Sequence, residues 1–204
     1  MEQIASGFRA ILSNAAIYSG FQWLMGADSG RRDLVARYIK IEQGMKILDI
    51  GCGPAEILDY LPPVDYWGFD ISRPYINQAT KRFGNRGKFI CKDLTIVDLY
   101  DLPKFDVVLC IGLLHHLADS TALKLIELAS NALKPNGRLY TIDGCLDSSQ
   151  NMISKLLVRY DRGQHVRTVE GYLKLTGGSF PNTTATLRHQ RWIPYTHCVM
   201  ECAR

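Results

Sequence analysis

The sequence predicts an α/β protein built on a doubly wound, mostly parallel sheet of seven strands. Between residues 46 and 143, short apolar runs alternate with amphipathic helical patterns. Parallel strands joined by crossover helices produce this alternation, with helices on both faces of the sheet. Two late β-rich runs, separated by a loop that contains Pro194, predict an antiparallel C-terminal hairpin added to that sheet.

These patterns place each element in order. The predicted strands are 46–50, 66–70, 88–91, 105–111 and 138–143, followed by 183–191 and 195–201 in the hairpin. The predicted helices are 4–18, 21–39 with an interruption at 26–30, 55–61, 74–83, 120–133, 149–160 and 169–175. We expect a single domain with a helical N-terminal cap at 1–44, a core at 45–143 and substrate-side helices with the hairpin at 144–204.

The composition is that of an ordinary globular protein. Its 204 residues are enough for one domain with a sizeable core. No apolar run has the length of a membrane span, and the N-terminus lacks the basic region of a signal peptide. The six cysteines form no C-x-x-C pair, so neither a metal site nor a disulfide framework is indicated. We therefore expect a cytoplasmic protein without a membrane partner.

The positive charge is concentrated in the last quarter of the chain. After Gln150, eight Lys and Arg residues stand against three Asp and Glu residues. They could form an ordinary solvated face, or a mildly basic rim suited to an anionic ligand. Because they make no basic stripe, we do not expect a nucleic-acid partner.

The segment that organises the chain is a glycine turn after the first core strand. The apolar run 47–50 ends in Gly51-Cys52-Gly53-Pro54, and helix-forming residues follow. Glycines tolerate positive φ and let main-chain N–H groups approach a ligand closely. A lone Gly-x-Gly could equally serve the geometry of the turn alone.

A second observation favours a nucleoside ligand. Asp70 ends the next predicted strand, nineteen residues after Gly51, where an acidic side chain can accept hydrogen bonds from a ribose diol. A dinucleotide fingerprint would need a third glycine at the position of Glu56, whose carboxylate opposes a pyrophosphate. A nucleoside without phosphates therefore fits better than a nicotinamide dinucleotide.

At this point the sequence resembles the class I S-adenosylmethionine-dependent methyltransferases, in their small-molecule branch. The motifs that carry the resemblance are Asp49-Ile-Gly51-Cys-Gly53-Pro-Ala55, Asp70, Cys91-Lys-Asp93-Leu94, Phe105 to Leu117 with Gly112 and His116, and Leu133-Lys-Pro-Asn-Gly-Arg-Leu139. The resemblance covers about half of the chain, and Ala55 stands where the family usually has its third glycine. It implies a Rossmann-like fold, S-adenosylmethionine as cofactor and S-adenosylhomocysteine as product.

The resemblance also implies a set of site residues. Those expected to contact the cofactor are Asp49, Gly51, Cys52, Gly53, Asp70, Ile71, Asp93, Leu94 and Gly112. His116 is the candidate general base, since histidine titrates near neutrality; packing in the turn is the alternative, and His115 is expected to be structural. Tyr18 and Gln22 from an N-terminal helical lid, together with Asp143, Asp161, Arg162 and Tyr195, are the candidates for acceptor contact, and Arg167 could anchor an anionic group.

Several functions remain compatible with these residues. The first is methyl transfer to an oxygen, nitrogen or carbon atom of a small molecule, by a monomer or homodimer. The alternatives are a methyltransferase acting on RNA or protein, and a non-catalytic relative that binds the cofactor. The acceptor atom is not determined by the motifs.

Overall fold

The computed structural model describes residues 27–148, 150, 165–190 and 195–204. Its centre is a sheet of seven strands in the order β3-β2-β1-β4-β5-β7-β6. The strands are β1 Lys46–Ile50, β2 Asp65–Asp70, β3 Gly87–Cys91, β4 Phe105–Ile111, β5 Leu133–Gly144, β6 Asn182–Gln190 and β7 Tyr195–Ala203. Strands β1 to β5 pair in parallel, whereas β7 is antiparallel to both β5 and β6. The predicted fold class is confirmed.

The described helices pack on both faces of this sheet. They are α1 Ala27–Tyr38, α2 Arg73–Phe83, α3 Asp119–Ala132 and α4 Val169–Thr176, with 3-10 turns at Glu56–Tyr60, Asp98–Tyr100 and Leu114–His116. None of these helices is long and apolar enough to cross a membrane. Pro74 in the first turn of α2 and the Thr168 hydroxyl, which accepts from the Gly171 N–H, mark two helix starts.

The alternation of side chains along the strands divides the core into two layers. Leu48 and Val108 point to the face covered by α3 and α4. Ile47 and Val107 point to the opposite face, which α1, the turn Glu56–Tyr60 and α2 cover. Neighbouring residues of a strand face opposite sides, so the fully buried central strands are apolar on both.

Several boundaries differ from the expectation. The predicted helix 55–61 is a 3-10 helix of five residues, Glu56–Tyr60; Ala55 is excluded by its left-handed conformation (φ 56°), and the extended Leu61 precedes Pro62. The interruption predicted at 26–30 is wrong for residues 27–30, which lie in α1. The predicted helix 4–18 and nearly all of 149–160 lie outside the described residues.

Candidate functional site

The glycine turn lies where the strand order reverses, between β1 and β4. Gly51 and Gly53 have φ angles of 74° and 54°, a region that favours glycine. The N–H groups of Gly51 and Cys52 both donate to the carbonyl oxygen of Phe69, at 2.8 and 3.0 Å. The turn is therefore fastened to the end of β2, at the crevice where open α/β sheets bind their ligands.

Asp70 is joined directly to this turn. Its Oδ2 accepts a hydrogen bond from the Gly53 N–H at 2.9 Å, and its Oδ1 accepts from the Ser72 N–H at 2.7 Å. A carboxylate has about four acceptor positions, so both oxygens keep capacity for a ligand hydroxyl. The two features that predicted a nucleoside site are thus neighbours.

Among the described residues, the space beside Gly53 is open, whereas the Leu113 side chain fills the space beside Gly51, where an added Cβ would lie 3.0 Å from Leu113 Cδ2. A Cβ built on Gly53 would meet no described atom within 4 Å. Ile71, directly after Asp70, leaves 52% of its surface exposed. An exposed branched side chain beside a fixed carboxylate and bare main chain suits a ligand with a flat apolar part and a polyhydroxyl part. These residues fit the adenosine portion of S-adenosylmethionine.

Asp49 lies in the core, just before the glycine turn in the chain. Only 3% of its surface is exposed, and its Oδ2 accepts a hydrogen bond from the Tyr66 hydroxyl at 2.5 Å. Burial raises the pKa of Asp49 to about 7; the Tyr66 hydrogen bond lowers it, and the neighbouring Asp70 carboxylate raises it. This burial argues against direct ligand contact by its carboxylate.

The remaining cofactor candidates differ in exposure. The Cys52 side chain packs over Gly68, where an added Cβ would lie 2.8 Å from the Cys52 sulfur. Burial raises the pKa of the Cys52 thiol far above its ordinary value, so it is not a reactive thiolate. Asp93 is exposed beyond β3, whereas the Leu94 side chain belongs to the core, which leaves only its main chain for a ligand.

The turn after β4 carries both histidines. Gly112 opens it with a φ of 68°, and the Gly112 N–H donates to the Ile142 carbonyl at 2.7 Å. His116 is half-buried, whereas His115 is 7% exposed. Their ring centroids are 4.1 Å apart. The structure thus brings Gly112 and His116 to the same edge of the sheet as the glycine turn.

Asp143 lies at the end of β5, as predicted, but its carboxylate is buried. It is 1% exposed, and its Oδ1 accepts from both the N–H and the Nδ1–H of His115, at 3.1 and 2.8 Å. A carboxylate engaged in this way and closed off from solvent does not present itself to an acceptor. Acceptor contact by Asp143 stays a prediction, and in the structure its carboxylate holds the turn that carries His115 and His116.

Arg167 is also engaged within the protein. Its guanidinium donates to the carbonyl oxygens of Leu114 and Leu117 at 2.9 and 2.6 Å, and to the Asp119 carboxylate at 2.6 Å. These contacts use the donors that an anionic ligand would need, so the anchor role expected from the sequence is not supported. Sequence reasoning missed the contact because it joins residues about fifty positions apart.

The other acceptor candidates are not placed by the structure. Tyr18, Gln22, Asp161 and Arg162 lie outside the described residues, and Tyr195 begins β7 with an undescribed side chain. Beyond the end of β5 there is an open cavity of about 500 Å³. Its lining includes the carboxylates of Asp147 and Glu170 besides Leu146, Val169, Ala185 and Leu187. This lining does not favour an anionic group.

Comparison with known proteins agrees with this geometry. Residues 48–139 match a family model described as a methyltransferase domain. A ubiquinone biosynthesis O-methyltransferase of Coxiella burnetii is 27% identical over 103 residues, which are 48% of this chain and 43% of that protein. An uncharacterized protein of Synechococcus is 36% identical over 103 residues, 47% of this chain and 24% of that protein. The chain spans less than half the length of these curated relatives.

Solved structures share the fold over nearly the whole chain. The pyocyanin biosynthetic protein PhzM has a TM-score of 0.71 at 16% identity, covering 98% of this chain and 62% of that one. A TehB-like S-adenosylmethionine-dependent methyltransferase from Corynebacterium glutamicum has a TM-score of 0.63 at 20% identity, covering 94% of this chain and 99% of that one. Likeness at these identities shows the fold.

The sheet order and the glycine turn joined to Asp70 define an α/β domain with a candidate ligand site at its switch point. The match to a methyltransferase domain, which covers a little less than half of the chain, agrees with the resemblance to the class I S-adenosylmethionine-dependent methyltransferases. S-adenosylmethionine, the cofactor expected from the sequence, is consistent with that match.

Proposed function

We propose that this chain transfers the methyl group of S-adenosylmethionine to an oxygen, nitrogen or carbon nucleophile of a small molecule. The observation that carries the proposal is the 2.9 Å hydrogen bond between the Gly53 N–H and Asp70 Oδ2, which sets an amide turn and a carboxylate side by side at the switch point. Oxygen is the first nucleophile to test, because a ubiquinone biosynthesis O-methyltransferase is among the relatives.

Each residue has a defined task in this proposal. Asp70 accepts hydrogen bonds from ribose hydroxyls, while Gly53 allows close approach to the main chain. Ile71 offers an apolar surface to the base. The sulfonium supplies an activated methyl group, so the protein has mainly to align the acceptor, and alignment of this kind contributes up to about 7–11 kcal/mol. His116 accepts the proton of an acceptor that arrives protonated.

Calorimetry tests the cofactor part of the proposal. S-adenosylmethionine, S-adenosylhomocysteine and NAD are titrated into the protein separately. We expect the first two to bind and NAD to bind more weakly or not at all. Tighter binding of NAD than of either adenosyl compound would refute the proposal.

A labelled methyl donor tests the acceptor part. The protein is incubated with the donor and with separate pools of small metabolites, RNA and protein. We expect label to enter the small-molecule pool, with phenols and other hydroxyl compounds tested first. Label confined to RNA or protein would assign the enzyme to a different acceptor class, and label in none of the pools would favour a non-catalytic relative.

A further inference from the structure

The turn that carries His116 is anchored by two charged side chains from outside it. Residues Gly112 to Leu117 are here called the histidine turn. Asp143, at the end of β5, and Arg167, just before α4, both form hydrogen bonds with it. A turn of this length has few hydrogen bonds of its own, so its conformation depends on such external partners.

The Asp143 anchor acts on main chain and side chain together. Its Oδ1 accepts from the His115 N–H and from Nδ1–H, which fixes the position of the backbone and the orientation of the imidazole at once. The His115 ring in turn packs against the His116 ring, with centroids 4.1 Å apart at an interplanar angle of 40°. A displacement of Asp143 would therefore move the His115 ring and, through the ring contact, the His116 ring.

Burial of the Asp143 carboxylate costs free energy in the folded state. Its Oδ2 is buried and accepts no hydrogen bond from the described residues. A buried polar atom left without a partner destabilises the folded state by about 1–3 kcal/mol. An apolar side chain would avoid this cost but would leave the His115 N–H and Nδ1–H without an acceptor, so the carboxylate is tied to the conformation of the turn.

The Arg167 anchor closes the other side of the turn. Its guanidinium reaches the carbonyl oxygens at both ends of the 3-10 segment, those of Leu114 and Leu117, and also the Asp119 carboxylate at the start of α3. Its side chain is only 10% exposed. The segment just before α4 adds a further contact, since the His165 N–H donates to the His115 carbonyl oxygen at 3.0 Å.

We propose that Asp143 and Arg167 are positioning residues, which fix the histidine turn so that His116 faces the methyl donor in one orientation. The inference rests on the proposed methyl transfer, because only a reaction at this edge requires His116 to be aligned. A displacement of about 1 Å in a catalytic group can lower the rate about 100-fold. Loss of either anchor should thus reduce turnover without removing a group that contacts the cofactor.

The test compares anchor variants with matched controls from the opposite edge of the sheet. Asp143→Ala removes the acceptor of both His115 hydrogen bonds, and Arg167→Lys removes the planar fork while it keeps the charge. Asp106→Ala and Arg138→Lys are the controls, since Asp106 accepts from the Lys46 N–H and Arg138 pairs with Glu201. We expect kcat to fall about 10- to 100-fold in the anchor variants. The dissociation constant for S-adenosylhomocysteine should stay within about twofold, and both controls should keep the wild-type rate.

Nuclear magnetic resonance of the histidine rings separates this proposal from the proposed function. We expect the His116 Cε1–H resonance to shift or broaden in Asp143→Ala and Arg167→Lys and to stay unchanged in the controls. If wild-type protein transfers no methyl group, the proposed function fails while these spectra still report on the anchoring. Unchanged His116 resonances, wild-type turnover in both anchor variants, or a loss of affinity parallel to the loss of turnover would each overturn the positioning role.

Discussion

Replacing Asp49 by Asn should remove a large pH dependence from the stability of this fold. Asp49 is a carboxyl group under the glycine turn with a pKa raised to about 7, first of all by burial. Between about pH 4 and 7 the folded protein keeps a proton that the unfolded chain has released. Unfolding then releases a proton, so the free energy of unfolding falls as the pH rises through this window.

The size of the effect follows from the two pKa values. Asp49 has an ordinary pKa of 3.8 and a pKa of about 7 in the folded protein. Each pKa unit corresponds to about 1.4 kcal/mol, so the wild-type protein should lose about 4 kcal/mol from this group between pH 4 and pH 8. Asn at this position has no proton to exchange and still offers an oxygen to the Tyr66 hydroxyl.

Urea unfolding followed by tryptophan fluorescence at a series of pH values measures this difference. The difference in stability between Asp49→Asn and wild type should change by about 4 kcal/mol in favour of the variant from pH 4 to pH 8. Tyr66→Phe supplies a second test, because it removes the hydrogen bond that lowers the Asp49 pKa. The fall in stability should then extend to higher pH. Parallel curves for wild type and Asp49→Asn would refute the reasoning.

Three further predictions concern the site. Gly53→Ala and Gly44→Ala both introduce a side chain at positive φ, where no described atom lies within 4 Å. Each should lower the free energy of unfolding by about 1–2 kcal/mol in urea. Only Gly53→Ala should weaken the binding of S-adenosylhomocysteine in calorimetry. Equal affinities would place the ligand elsewhere. Asp70→Ala should weaken the same ligand by about 1–3 kcal/mol, with Asp106→Ala as control, and unchanged affinity would show that Asp70 does not hold the ribose. His116→Ala should lower turnover about 100-fold while sparing cofactor affinity, and a full rate would make His116 a packing residue.

Local patterns predicted the sheet well. The buried apolar runs that became β1 and β4 have the boundaries expected from the sequence, Lys46–Ile50 and Phe105–Ile111. Burial on both faces leaves little freedom in where such a strand begins and ends. The sequence also predicted that Gly51, Asp70 and Gly112 lie at strand ends on one edge of the sheet, because position relative to a strand end is a local property.

The parts that were not predicted depend on distant residues or on one backbone angle. The left-handed conformation of Ala55 shortened the first helix, and alanine carries no sequence signal for positive φ. Asp143 was placed correctly at the end of β5, but its partner His115 is 28 residues away in the chain. Arg167 was placed in a basic segment, whereas its partners are about fifty residues earlier. Contacts of this kind are decided by tertiary packing, which pattern and spacing do not encode.

The insertion of β7 between β5 and β6 affects how the sheet is completed. Among the described strands, β6 pairs with β7, and it reaches the rest of the sheet through that strand. During synthesis β6 therefore cannot pair with the sheet until β7, which follows it in the chain, has been made. Until then the edge of β5 that pairs with β7 stays exposed. Once formed, the two strands should open and close together, and their amide protons should exchange with solvent as one unit.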